Sequence, residues 1–62
     1  MHEEALQSIS LLIAINRSNV KRYDGETGEW AGYADRCRRA IASLENSAAI
    51  LQADHDKEEA AP

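Results

Sequence analysis

The sequence predicts an all-α protein, an antiparallel helical hairpin of two long helices that is expected to dimerise into a four-helix bundle. Three observations predict it. Apolar residues recur at alternating steps of three and four through both halves of the chain. A short Gly-containing polar segment separates the halves. The apolar inventory is also thin: of 62 residues, 11 are Ala and only 11 are Ile, Leu or Val, with no Phe. A chain this short buries only roughly 60% of its unfolded surface, so a core rich in alanine points to a second copy or a partner for completion.

The first helix is predicted from about residue 2 to 22. His2, Leu6, Ile9, Ile13, Asn16, Val20 and Tyr23 fall at helical spacing and share one stripe. Glu3 and Glu4 suit the positive N-terminal end of the helix dipole; Lys21 and Arg22 suit the negative end. Asn16, Ser18 and Asn19 weaken this helix, because their side chains compete for backbone hydrogen bonds.

A loop is predicted over about 23–28. Gly25 can take the left-handed conformation that ends a helix. Thr27 is the candidate N-cap of the next helix, with Glu29 in its first turn. A connection this short makes the helices antiparallel neighbours. In a rival arrangement residues 20–23 and 29–33 pair as a β-hairpin around Asp24-Gly25; an isolated two-stranded ribbon is marginal in water.

The second helix is predicted from about 29 to 56. Trp30, Ala34, Cys37, Ile41, Leu44, Ala48, Leu51 and His55 form a heptad seam. Residues 1–56 thus make a single domain, and the acidic stretch 57–62, with no large apolar group, is expected to be a flexible tail.

Facing stripes leave side chains over. Leu11, Leu12 and Ile15 make an apolar patch off the first seam, and Ile50 lies off the second. An adjacent apolar cluster marks an interface, so these four residues are the candidate oligomer interface of a homodimer. Tyr23, Trp30 and Tyr33 gather every aromatic ring of the chain at the loop end, with Arg36 close by in sequence. Their simplest role is a plug closing the hairpin. Aromatics beside arginine are also common hot-spot chemistry, so Tyr23, Trp30, Tyr33 and Arg36 are the candidate partner-binding residues.

Candidate chemistry is sparse. A hairpin puts His2 and His55 at the same end of the molecule, with Glu3, Asp54 and Asp56 as nearby carboxylates, a zinc-type or pH-sensitive set. Polar residues at frayed helix ends are the simpler account, since no His-x3-His pair is present, and no metal or cofactor is expected. Cys37, a mid-helix seam position, reads as a buried, inert thiol. No Ser-His-Asp set, Gly-rich phosphate loop or paired buried carboxylates are recognisable, and the chain is read as a non-enzyme.

Charge and length limit the partners. The net charge of -4 and pI of about 4.9 disfavour nonspecific binding to phosphates, so nucleic acid is not the expected target. Six of seven basic residues fall between Arg17 and Arg39, which leaves a nucleic-acid-associated regulator as the alternative. Within that region Asp35 and Arg39 are spaced for an i, i+4 pair. The longest apolar run, Leu11 to Ile15, is five residues, too short to span a membrane. The opening His2-Glu3-Glu4 lacks the basic start of a secretory signal, and a cytoplasmic location is expected. The function expected is a homo-oligomeric regulator or inhibitor that binds a larger macromolecule. Small chains without catalytic chemistry often have this role, including those carried by phages and mobile elements. A small metal-binding or enzymatic helical protein is the third reading.

Overall fold

Helix α1 runs His2–Tyr23 with Glu3 and Glu4 in its first turn and Lys21 and Arg22 in its last, so both ends oppose the helix dipole favourably. Within its weak stretch Asn16 Nδ2 donates to the Leu12 carbonyl at 2.8 Å, one turn back along the same helix. The side chain that competes with the backbone here satisfies itself without opening the turn. The computed structural model describes residues 2–60.

The chain leaves α1 through a tight turn in which the Glu26 amide donates to the Tyr23 carbonyl at 3.2 Å. Gly25 sits at φ 77°, a region that costs other residues roughly 1–2 kcal/mol. Thr27 then starts not the long helix but a single 3-10 turn, Gly28–Trp30; its backbone is extended and its side chain caps nothing. The rival β-hairpin is absent: no strand forms among the described residues.

Helix α2 begins at Tyr33 and ends at Ala60. Both bounds differ from those the sequence suggested. The start moves from 29 to 33 because Ala31 is extended and Gly32 has φ 79°, neither of which a helix interior permits. The first helical hydrogen bond runs from the Arg36 amide to the Gly32 carbonyl, 3.2 Å. At the other end, α2 runs on through residues 57–60. Lys57, Glu58, Glu59 and Ala60 are all good helix formers, and Lys57 lies in the last turn where a cation is favoured. The rest of the expected tail, 61–62, lies outside the described residues.

The two helices pack side by side along the expected stripes. All seven stripe residues of α1, His2 through Tyr23, are partly buried. On α2, Ala34 and Cys37 are fully buried, at 5% and 4% exposure, and Ile41, Leu44, Ala48, Leu51 and His55 are partly buried. Nothing else reaches full burial among the described residues. The driest part of the seam therefore sits at the loop end, where small side chains let the helices approach.

This geometry is one layer thick. The chain measures 56 × 14 × 13 Å, with a radius of gyration of 15.1 Å. A compact domain of this length has about 10.5 Å. No helix among the described residues is long and apolar enough to cross a membrane.

Candidate functional site

Three regions carry side chains that the seam does not consume. The first is the loop end. Tyr23, the last residue of α1, stacks on Trp30 at 4.8 Å between ring centroids, with 24° between the planes. Tyr33, the first residue of α2, meets both rings edge-on, at 4.9 Å from Tyr23 and 5.3 Å from Trp30. The three rings thus tie the end of one helix to the start of the other across the loop. Trp30 keeps 43% of its surface exposed. The Arg22 guanidinium lies 5.6 Å from the centre of the Tyr23 ring, a cation–π contact. Charge repulsion with Cys37, then burial, pushes the Tyr33 phenol above its ordinary value.

The arginines near this end divide their work. Arg38 donates to Asp35 at 2.6 Å and to Asp24 at 2.8 Å, bridging the first turn of α2 to the loop. These two carboxylates raise the Arg38 pKa, Asp24 first. The sequence spacing suggested Asp35 with Arg39; the structure gives Asp35 to Arg38 instead, because only Arg38 also reaches Asp24. Arg36 is exposed and forms no ion pair among the described residues. Successive residues turn 100° about a helix, so Arg36, Arg38 and Arg39 spread around α2 and do not line one basic strip.

The second region is the outside of the seam. Leu11, Leu12, Ile15 and Ile50 are 62%, 46%, 48% and 56% exposed. Helical geometry sorts them. Relative to the stripes, Leu12 and Ile15 of α1 turn to the same flank of the hairpin as Ala40, Ser43, Ser47 and Ile50 of α2. Tyr33 and Arg36 turn to that flank as well. The opposite flank carries Glu3, Arg17 and Lys21 of α1 with Arg38, Glu45 and Asp56 of α2. The first flank holds its large apolar side chains among small ones, with Arg36 toward the loop end, and the second carries more charge. Leu11 stands apart: two residues from both Ile9 and Ile13, it projects from the back of α1, away from the seam.

The third region is the open end, where the chain brings its two histidines together. The His2 and His55 rings are 6.1 Å apart and tilted by 54°. The carboxylates beside them are not the expected Glu3, Asp54 and Asp56. Glu58 Oε2 lies 3.4 Å from His2 Nδ1, and Glu59 Oε1 lies 3.1 Å from His55 Nε2. Helix α2 continues past residue 56, so positions three and four after His55 share its face. Asp56 instead accepts a hydrogen bond from Gln52, at 3.0 Å.

No family model, no curated protein and no solved structure matches this chain.

Proposed function

We propose that this chain is a homodimeric, non-enzymatic interaction module that regulates or inhibits a larger macromolecule. The observation that carries the reading is surface that a single hairpin leaves wet. The chain exposes 4839 Å². A compact monomer of 6.9 kDa exposes about 4000 Å². The excess is on the order of 800 Å², the area one partner contributes to a standard interface. The flank of Leu12, Ile15 and Ile50 supplies apolar side chains for it, and the charged opposite flank supplies the solvated exterior of a four-helix bundle.

A twofold axis parallel to the hairpin lays α1 of each copy over α2 of the other. Leu12 and Ile15 then fall at the level of Ala40, Ser43 and Ser47 of the second copy, large side chains over small ones. Such a contact is isologous and closes on itself. Trp30 and Tyr23 stand at the tip of the bundle, and Tyr33 and Arg36, which share the dimer flank, border it at that end; these four residues are the candidate anchors for a target.

Sedimentation equilibrium between 1 and 100 µM tests the assembly: a dimer mass is expected, and a folded monomer throughout that range refutes it. Affinity capture from the native host with wild type and with the Tyr33→Ala, Arg36→Glu variant tests the target site. One dominant macromolecule retained by wild type and lost by the variant is expected. Equal retention by both moves the binding surface elsewhere.

A further inference from the structure

We propose that His2, His55 and Glu58 form a binding site for a divalent transition-metal ion of the zinc type, clasping the open end of the hairpin. One ligand atom from each of the three residues lies within 4.8 Å of the other two. Two imidazoles and one carboxylate are a donor set suited to zinc and to its neighbours cobalt, nickel and copper. His55 and Glu58 come from adjacent turns of α2; His2 comes from the first turn of α1.

The local geometry favours a cation over a simple ion pair. His2 Nδ1 is shielded from solvent and has no hydrogen-bond partner. The nearest Glu58 oxygen is 3.4 Å away, within ion-pair range but not placed for a directed hydrogen bond. This shielded nitrogen and a carboxylate oxygen face each other with no directed hydrogen bond between them. A metal ion between them would bond to both. The His2–Glu58 spacing suits this, since adjacent ligands around a tetrahedral zinc with bonds of roughly 2.0–2.1 Å lie about 3.4 Å apart. His55 reaches the same centre by giving up Glu59, an exposed partner 3.1 Å away on the same helix. Three protein ligands leave the fourth position for water or for Glu59 itself.

Such an ion would have a mechanical effect. The loop joins the helices at one end only, and the metal would join them at the other. Closing residues 2 to 55 into a ring restricts the unfolded chain and stabilises the folded one. The site lies within one hairpin, so it stands or falls independently of dimerisation.

Cobalt(II) absorption, zinc calorimetry and thermal melting on the full chain test the proposal. One ion per chain is expected, with visible absorption typical of four-coordinate cobalt, displacement by zinc, and a melting midpoint that rises with zinc and falls back with EDTA. His55→Ala should abolish binding. Glu58→Gln changes an exposed side chain without shortening it, so it should keep the helical circular-dichroism signal and bind at least tenfold more weakly. Absence of binding at 100 µM zinc overturns the site. So does one ion per two chains, or undiminished binding in Glu58→Gln or in a folded His2→Ala, His55→Ala double variant.

Discussion

Tyr23 stacks on Trp30 at 4.8 Å across the loop, so the residue that ends α1 covers the residue that ends the 3-10 turn. The turn contributes one backbone hydrogen bond of its own, from the Ala31 amide to the Gly28 carbonyl at 3.1 Å. A segment with so few backbone contacts takes its shape from the rings packed over it, and Tyr33 completes the set from the start of α2.

Replacing Trp30 with Ala should therefore cost about 1–2 kcal/mol. Aromatic pairs add roughly 0.5–1.5 kcal/mol beyond area burial, and Trp30, being 43% exposed, loses less than a core tryptophan. Urea denaturation followed by circular dichroism reads the change. A midpoint equal to wild type would show that the loop holds its form without the stack.

Ile41→Asp should unfold the chain. Ile41 sits on the seam one turn from Cys37, the most buried of the described residues, and a carboxylate there would enter the apolar stripe. Burying an unpaired charge costs more than a marginal hairpin holds. Retention of a cooperative melt near the wild-type midpoint would contradict the seam.

Leu12→Asp combined with Ile15→Asp should halve the sedimenting mass while keeping most of the helical signal. Leu11→Asp alone should leave the mass unchanged, since Leu11 is the most exposed of the large apolar residues and projects from the back of α1. The opposite ranking would place the interface on the outer face of α1.

Stability should fall above the ordinary tyrosine range of about pH 10. The Tyr33 phenol is raised, by charge repulsion with Cys37 and then by burial. The folded chain therefore holds this proton more tightly than the unfolded chain does. That contribution is complete below the unfolded value and is lost as pH climbs through the folded one. Absorbance titration near 295 nm in a Tyr23→Phe background isolates Tyr33, and Cys37→Ala should move its midpoint back down. An unmoved midpoint would remove Cys37 as the cause.

The seam was legible in the sequence because burial on a helix repeats with the helix. Steps of three and four pick out one face whatever lies opposite, and every stripe residue of α1 is at least partly covered. The start of α2 was harder to read. Thr27 and Glu29 have the chemistry of a helix start, but Gly32 at φ 79° delays the helix by a turn. The far bound differs for the opposite reason: residues 57–60 look like solvent-loving chain, yet each favours helix and α2 extends through them.

What the sequence alone determined was the pair of apolar stripes, the turn between them and the surplus of Leu11, Leu12, Ile15 and Ile50. These depend on spacing along one chain. What only the tertiary structure decided was which groups meet across the two helices. Arg38 bridges Asp24 and Asp35, and His2 comes to face Glu58, 56 positions away along the chain. Such meetings depend on the register of α1 against α2. That register is fixed by the whole length of the packed seam and by the geometry of the loop, so no local pattern of residues encodes it.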